Sequence, residues 1–243
     1  MSDFADKAAL VTGAGSGIGE ACASMLADRG ASVLVADLDL DAATRVAEAI
    51  GRSAVAHEVD VRDPKACEAM VAAAVDAFGR LDVAVNNAGI GGARALTGEY
   101  PLDGWDDVVA VNLNGVFYSM RAEIPAMLGN GSGSIVNVAS VLGSVGFPRS
   151  VAYVAAKHGV VGMTKTAALE YARRGIRVNS VGPGFIQAPM LSQEGAAGVA
   201  YLHPTCRLGR REEVAELIAF LASDRASNTT GSYFLTDGGF SAQ

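Results

Sequence analysis

Short apolar runs rich in β-branched residues alternate with longer Ala-rich stretches along the whole chain. The apolar runs are continuous, which is typical of strands buried on both faces of a parallel sheet. We predict strands at 8–12, 32–36, 54–59, 83–86, 134–139, 177–181 and 233–235. The intervening stretches predict helices at 17–29, 41–50, 64–78, 102–128, 151–174 and 212–221. This βαβ order predicts an α/β fold, a doubly wound parallel sheet of about seven strands flanked by helices.

The 243 residues show no Pro/Ser-rich linker, internal repeat or low-complexity tract. The glycine cluster at 129–133 is typical of a turn between a helix and a strand. One long segment without a clear period, 187–206, is rich in Ala, Gly and Ser, and loops of that length are commonly lids. We therefore expect a single domain, 1–243, with one flap at 187–206.

Tyr153 and Lys157 lie four residues apart on a predicted helix, so the phenol and the ammonium share one helix face. A nearby ammonium favours the phenolate and makes its proton available for chemistry. Ser140 precedes them and could bond the same reacting oxygen. With a nicotinamide beside it, this cluster would define an alcohol/ketone oxidoreductase. Taken alone, the pair is more typical of an amphipathic helix with Tyr half buried and Lys in water.

The first predicted strand leads directly into a glycine-rich turn, Thr12–Gly19, and then a helix. Glycines let the backbone approach a ligand closely, and a helix N-terminus attracts a pyrophosphate. The spacing departs from G-x-G-x-x-G because Ile18 stands where that pattern has glycine. The alternative is a turn that serves only tight packing.

Acidic and amide residues follow the next strands. Asp37 can accept both ribose hydroxyls of an adenosine and would repel a 2′-phosphate. No Arg or Lys follows in 38–40, so NAD is favoured over NADP. Alternatively, Asp37 caps the helix near Asp41 or is solvated. Asp60 either bonds an adenine amino group or caps the helix at 64, and Asn86–Gly89 suits both a cofactor wall and an ordinary turn.

Composition excludes several classes of protein. Half of the residues are hydrophobic and 19% are charged, which is ample for a large core. The net charge of −7 and the pI near 5.0 oppose a nucleic-acid or anionic-membrane partner. The three cysteines and three histidines are scattered, so we expect no disulfide framework and no metal site. With no signal peptide and no apolar run long enough to span a membrane, we expect a cytoplasmic protein.

Together these motifs resemble the single-domain short-chain dehydrogenase/reductase family, over the chain from Lys7 onward. The family's TGxxxGxG motif is matched by Thr12, Gly13, Gly17 and Gly19. Its NNAG, Pro-Gly and Asp-Gly-Gly motifs are matched by Asn86–Gly89, Pro183–Gly184 and Asp237–Gly239. Its catalytic tetrad falls on Asn112, Ser140, Tyr153 and Lys157. The resemblance implies a Rossmann-like fold and a homotetramer.

The resemblance also implies hydride transfer between a secondary alcohol or ketone and a nicotinamide. Tyr153 would carry the proton, and Lys157 would lower the pKa of Tyr153 and hold the nicotinamide ribose. Ser140 would orient the substrate oxygen, and Asn112 would anchor a water linking Lys157 to solvent. The cofactor-binding residues expected are Gly13, Ser16, Gly17, Ile18, Gly19, Asp37, Asp60, Val61, Asn87, Ala88, Gly89, Tyr153, Lys157, Pro183, Gly184 and Ile186.

The substrate side is expected to be apolar. Its residues are Ser140 and Tyr153 together with Ile90, Leu142, Phe185 and Met190, with Gly91, Gly143 and Leu191 nearby. Ala188 stands where the family often has a Thr that contacts the nicotinamide, which would weaken NAD binding or free the lid. No Lys or Arg lies between Gln187 and Cys206, and we interpret Arg94 and Arg149 as surface residues. We therefore expect a small neutral alcohol, ketone or cyclic diol as substrate.

Two rival functions remain open. One is a 3-oxoacyl-carrier-protein reductase, which in this family usually uses NADPH and meets an acidic carrier. The other is a non-catalytic dinucleotide sensor or scaffold, although such proteins commonly lose the Tyr or Lys. For assembly, Ala155, Gly159 and Gly162 permit close helix packing between subunits, or they pack internally.

Overall fold

A computed structural model of the chain describes residues 3–187 and 199–242. Its centre is one seven-stranded sheet in the order β3-β2-β1-β4-β5-β6-β7, with every neighbouring pair parallel. The strands are β1 (Ala8–Thr12), β2 (Ser32–Asp37), β3 (Ala54–Glu58), β4 (Val83–Asn86), β5 (Gly133–Val138), β6 (Ile176–Pro183) and β7 (Tyr233–Thr236). The prediction of a doubly wound parallel sheet is confirmed.

The described part of the chain has seven α-helices, and all but the fourth pack in the two clusters that cover the faces of the sheet. They are α1 (Gly17–Asp28), α2 (Leu40–Ile50), α3 (Pro64–Phe78), α4 (Leu102–Val109), α5 (Gly115–Asn130), α6 (Val151–Tyr171) and α7 (Arg211–Ala222). Successive strand residues serve opposite faces: Val11 packs in the cluster with α1, α2 and α7, and Leu10 packs with α3, α5 and α6. Burial on both faces explains why the strands read as continuous apolar runs.

The strand order reverses between β1 and β4. From β1 the chain first winds outward to β2 and β3, and then returns to place β4 on the other side of β1. In open α/β sheets the connections diverge at such a point and leave a crevice beyond the carboxyl ends of the strands. The residues after β1 and β4, Gly13 and Asn87, therefore face a common opening.

The single helix predicted at 102–128 is wrong. The structure divides it into α4 and α5, joined by a π-helical turn at Ala110–Asn114. A π turn inserts one extra residue into a helix and is frequent at functional sites. The apolar periodicity continues through it, and no glycine or proline in the turn marks the change.

A buried polar network lies under the sheet beside α5 and α6. The Asn86 amide donates to the Glu123 carboxyl (3.1 Å) and to the Asn137 side chain (3.0 Å), and the Asn137 amide donates to the Thr164 hydroxyl (3.0 Å). Within the described part of the chain, the second carboxyl oxygen of Glu123 has no hydrogen-bond partner. Burial raises the pKa of Glu123 to about 8. Glu123 is therefore largely neutral near pH 7.

Glu123→Gln should change the pH dependence of stability. The pKa of Glu123 is higher in the fold than its ordinary value of 4.5, so the wild type loses stability as pH rises from about 4.5 to about 8. The amide keeps an acceptor for Asn86 but does not titrate. Between about pH 5 and pH 9 the Tm of the variant should gain at least about 3 °C on the wild type. The same difference at every pH, or an equal gain for exposed Glu48→Gln, would contradict this expectation.

Candidate active site

A cavity of about 810 Å³ opens at the carboxyl edge of the sheet, where β1 and β4 diverge. It is lined by nearly all of the residues predicted to bind the cofactor: Gly13, Ser16, Gly17, Ile18, Asp37, Asp60, Val61, Asn87, Ala88, Gly89, Tyr153, Lys157, Pro183, Gly184 and Ile186. Ser140, Ile90, Leu142 and Phe185 line the same space. Gly19 and Asn112 do not line it.

The glycine turn after β1 packs closely against the loop after β4. Gly13 has a φ of +62°, and a Cβ there would lie 2.9 Å from Ala88 Cα. A Cβ at Gly19 would lie 2.1 Å from the Gly13 carbonyl oxygen, so Gly19 serves the packing of α1 on the turn. The packing alternative therefore accounts for Gly19. Ser16, Gly17 and Ile18, by contrast, face the cavity.

The beginning of α1 is suited to an anion. Ser16 occupies the N-cap position, and its side chain makes no capping hydrogen bond. The backbone N–H groups of the first turn are therefore free of a side-chain acceptor, and they begin at Gly17, which lines the cavity. A glycine turn with this helix N-terminus fits the pyrophosphate of a dinucleotide.

Asp37 supports the glycine turn at the edge of the cavity. Its carboxylate accepts the Gly15 N–H (2.8 Å) and the Asp39 N–H (3.1 Å). The side chain that caps α2 belongs to Asp39, which accepts the Ala42 N–H at 3.0 Å, so the capping alternative for Asp37 is wrong. Folding also brings Arg45 close to the glycine turn, where its guanidinium donates to the Gly15 carbonyl at 2.6 Å.

Asp60 is held by Arg62. The guanidinium donates to both carboxylate oxygens, at 3.0 Å from Nε and 2.7 Å from Nη2. These hydrogen bonds lower the pKa of Asp60, and they outweigh its partial burial. The cap of α3 is Asp63, which accepts the Lys65 N–H at 2.8 Å, so the capping alternative for Asp60 is also wrong. Asp60 and Val61 are thus presented to the cavity.

Asn112 lies in the π-helical turn and is fully buried. Its Oδ1 accepts the Ile90 N–H and its Nδ2 donates to the Ile90 carbonyl, both at 2.8 Å. A Cβ at Gly89 would lie 3.1 Å from Asn112 Oδ1 and 3.7 Å from Lys157 Nζ. Asn112 therefore fixes the loop after β4 directly behind the Lys157 ammonium.

Tyr153 and Lys157 do not form an ordinary surface pair. Lys157 is 3% exposed, its Nζ donates to the Val138 carbonyl at 2.8 Å, and it lies 5.6 Å from the centre of the Tyr153 ring. Burial lowers the pKa of Lys157 to about 8. Burial also raises the pKa of Tyr153, and a hydrogen bond with Ser140 offsets only part of that effect. The net direction for Tyr153 is opposite to the expected lowering, because desolvation of the phenol dominates.

A residue of β7 fixes the backbone of Ser140. The Tyr233 hydroxyl donates to the Ser140 carbonyl, and the Ser140 Oγ accepts the Leu142 N–H at 3.2 Å. The sequence did not single out Tyr233, which occupies the first position of a predicted edge strand. Its role depends on the pairing of β6 with β7, which places Tyr233 opposite Ser180.

The substrate side has an aromatic wall. Phe147 and Phe185 meet edge to face at 5.7 Å, and the Arg94 guanidinium lies 5.8 Å from the Phe147 ring centre. Arg94 is exposed, as predicted for a surface residue, and it also lines the cavity. Gly143 does not line the cavity and packs against the Lys157 carbonyl. The predicted residues Met190, Leu191 and Ala188 lie outside the described residues.

The described ranges 3–187 and 199–242 contain no group of three His, Cys, Asp or Glu side chains that could hold a metal ion. No helix among these residues is long and apolar enough to cross a membrane. Cys22, Cys67 and Cys206 are free thiols.

Comparisons with known proteins agree with this geometry. A family model described as enoyl-(acyl carrier protein) reductase matches residues 13–241. Cyclohexanol dehydrogenase of Acinetobacter sp. (strain SE19) is 49% identical over 99% of this chain and 97% of its own length. Cis-4-hydroxycyclohexanecarboxylate dehydrogenase of Sinomonas cyclohexanicum is 44% identical over 98% of each chain. The solved structure of a 3-ketoacyl-(acyl-carrier-protein) reductase from Brucella melitensis complexed with NADH matches with a TM-score of 0.95 at 38% identity, covering 98% of this chain and 99% of that one.

This chain belongs to the short-chain dehydrogenase/reductase family, as its motifs predicted. It is an oxidoreductase that interconverts secondary alcohols and ketones on a dinucleotide-binding fold.

Proposed function

We propose that this chain is an NAD-dependent dehydrogenase of small cyclic secondary alcohols. One observation carries the proposal: Ser140, Tyr153 and Lys157 line the same cavity as the glycine turn and Asp37. An apolar, aromatic wall faces the three polar side chains. A ring-shaped alcohol would fill that space with its hydroxyl directed at Tyr153.

Bound NAD supplies the hydride acceptor for oxidation of the alcohol carbon. Gly13, Gly17, Asp37 and Asp60 would hold its adenosine and pyrophosphate parts. On the protein side, Tyr153 Oη accepts the hydroxyl proton of the alcohol, and in ketone reduction it returns that proton. Ser140 Oγ donates to the substrate oxygen and stabilises its developing charge.

Lys157 assists the proton transfer while it is buried away from water. Its ammonium is held by the Val138 carbonyl and lies beside the Tyr153 ring, where a positive charge stabilises the phenolate. Because burial lowers the pKa of Lys157 to about 8, its ammonium can also release a proton near neutral pH. Asn112 positions the Ile90 loop beside this path, and we propose that it anchors a water linking Lys157 to solvent.

Tyr153→Phe should keep NADH binding and lower kcat by at least about 10²-fold, because a positioned acid–base group contributes about 10²–10⁴-fold. NADH fluorescence titration and turnover of cyclohexanol measure the two quantities. Tyr171→Phe, which removes a hydroxyl from the far end of the same helix, is the matched control and should leave kcat unchanged. Near-native kcat in Tyr153→Phe would exclude Tyr153 as the proton carrier.

The preference for NAD rests on Asp37. Its carboxylate lies between the glycine turn and the beginning of α2, where it lines the cavity as the adenosine ribose would require. A 2′-phosphate at that position would face a like charge. Arg45 is the nearby cation, and its guanidinium is engaged by the Gly15 carbonyl and Glu20.

Asp37→Ser should reduce the preference for NAD over NADP by at least about tenfold, since juxtaposed like charges cost several kcal/mol. The ratio of kcat/KM values for the two cofactors is the measurement. Asp41→Ser, an exposed acid in the first turn of α2, is the control and should leave the ratio unchanged. Equal or better use of NADP by the wild type would refute the preference itself.

Arg94 favours a second candidate substrate, a hydroxycycloalkane carboxylate. Its exposed guanidinium at the cavity edge could pair with a carboxylate on the far side of the ring. The relative from Sinomonas cyclohexanicum is named for such an acid. The neutral alcohol remains our first proposal because the other cations among the described lining residues are engaged elsewhere: Arg62 pairs with Asp60, and Lys157 is bonded to the Val138 carbonyl beside Tyr153.

For a neutral substrate, Arg94→Gln should leave the KM of cyclohexanol within about twofold of the wild type, because an exposed cation contributes little to a neutral ligand. Arg149→Gln, a neighbouring arginine outside the described cavity lining, is the control. The panel pairs cyclohexanol with 4-hydroxycyclohexanecarboxylate. Turnover of the acid alone, with its KM raised specifically by Arg94→Gln, would replace the first proposal with the second.

The carrier-protein alternative is weakened by charge. Carrier proteins are acidic, and this chain has a net charge of −7. The cofactor does not separate the two functions, since the 3-ketoacyl reductase from Brucella melitensis was solved with NADH. Reduction of an acetoacetyl thioester in preference to every cyclic ketone would favour the alternative. The retained Ser140, Tyr153 and Lys157 argue against a non-catalytic sensor.

We also propose a homotetramer in the cytosol. Ala155, Gly162 and Leu169 leave a small-residue and apolar surface exposed on α6, and the free thiols suit a reducing compartment. Gly159 packs inside the subunit and not between subunits, because a Cβ there would lie 2.5 Å from the Leu113 side chain. A monomeric mass in sedimentation velocity would contradict this assembly.

A further inference from the structure

His203 is a buried histidine directly behind the substrate wall. It is 2% exposed, and its Nε2 accepts the Phe185 N–H at 3.1 Å. Its ring packs between Phe185 and Phe240, with centre-to-centre distances of 5.7 and 6.1 Å. The residue thus touches the backbone and the ring of Phe185, whose other edge meets Phe147 in the cavity.

The hydrogen bond fixes the protonation state of the ring. An Nε2 that accepts an N–H carries no proton, so the neutral imidazole has its proton on Nδ1. Within the ranges described, Nδ1 has no hydrogen-bond partner. A second proton would make Nε2 a donor facing the Phe185 N–H, and the contact would then be repulsive.

The acid beside His203 is already engaged. Asp237 accepts the N–H groups of Gly239 and Ser241, each at 3.0 Å, together with the Ser241 hydroxyl. Burial would raise the pKa of Asp237, but these hydrogen bonds outweigh burial and lower it. A second titratable neighbour is Cys206, whose thiol is exposed. The backbone N–H of Cys206 donates to the His203 carbonyl at 2.8 Å. Neither of these two groups is bonded to the imidazole.

Two glycine motifs make room for this ring. A Cβ at Gly184 would lie 2.6 Å from His203 Nε2. Gly238 has a φ of +58°, and a Cβ there would lie 3.3 Å from the His203 Cβ. The Thr205 N–H donates to the Gly238 carbonyl at 3.3 Å. The Pro-Gly turn after β6 and the Asp-Gly-Gly turn after β7 therefore both pack against His203.

We propose that His203 is a positioning residue for substrate: its neutral ring holds Phe185 in place and ties the substrate wall to the turn after β7. The inference rests on the proposed function, because Phe185 is the wall against which the cyclic alcohol packs. Loss of the Nε2 acceptor frees the Phe185 backbone and loosens that wall. The effect falls on substrate affinity, since His203 contacts neither Tyr153 nor Ser140 among the contacts described.

Two amide variants separate positioning from simple filling of space. In His203→Gln the side-chain oxygen reaches the place of Nε2 and can still accept the Phe185 N–H. In His203→Asn the shorter amide ends near the place of Nδ1 and cannot reach it. We expect His203→Asn to raise the KM of cyclohexanol by about five- to tenfold, the equivalent of one lost hydrogen bond, with kcat and NADH affinity unchanged. His203→Gln should restore the KM to near the wild-type value.

The tautomer of the ring adds a second signature. A histidine side-chain ¹H–¹⁵N NMR correlation reads that tautomer without turnover. It should show the proton on Nδ1 at neutral pH.

Several outcomes overturn the proposal. These are equal KM values for His203→Asn and His203→Gln, a loss confined to kcat or to Tm, and a proton on Nε2 in the NMR spectrum. The NMR measurement decides the matter if the variants do not fold. If the wild type oxidises no cyclic alcohol, the proposed function fails, and the tautomer still reports whether the His203–Phe185 hydrogen bond exists.

Discussion

The close contact between the turn after β1 and the loop after β4 is the constraint on which the site depends. Thr12 Oγ1 accepts the N–H groups of Asn87 (3.0 Å) and Ala88 (3.2 Å), and the Asn87 amide donates to the carbonyls of Thr12 and Gly13, both at 3.0 Å. These bonds join the two halves of the sheet at the point where the strand order reverses. The approach is possible only because Gly13 has no Cβ.

The remaining parts of the site are arranged around that contact. The fixed loop after β4 continues to Ile90, which Asn112 holds through the π-helical turn. Behind the loop lies Lys157, which makes its bond to Val138 at the end of β5. An ammonium is expensive to bury, and here it has a backbone carbonyl and an aromatic ring beside it. The fold therefore keeps a charged group out of water beside the Tyr153 ring.

The opposite side of the cavity is built from aromatic contacts. Phe185 is the central ring: its centre lies 5.7 Å from those of Phe147 and His203 and 5.8 Å from that of Phe240. The members come from four separate parts of the sequence, so the wall depends on the packing of the turns after β6 and β7.

The motif residues were readable from the sequence because local rules govern them. A turn that needs positive φ at Gly13, and a Tyr and Lys one helical turn apart, are constraints between near neighbours in the chain. The buried strands were also predicted from the sequence, because each is a continuous apolar run. The prediction of one helix through Asn112 failed because a π turn leaves the apolar pattern intact. Arg45 was overlooked because its proximity to Gly15 arises from the docking of α2, not from its place in the sequence.

The sequence by itself determined the fold class, the family and most of the motif residues that face the cavity, since each depends on short-range backbone geometry and on apolar periodicity. Only the tertiary structure decided which acids cap helices and which face the cavity, that Lys157 is buried, and that Arg94 and Phe147 line the same cavity. It also placed His203 behind Phe185. These facts are distances between parts of the chain far apart in sequence, and such distances are set by packing of the whole sheet and its helices.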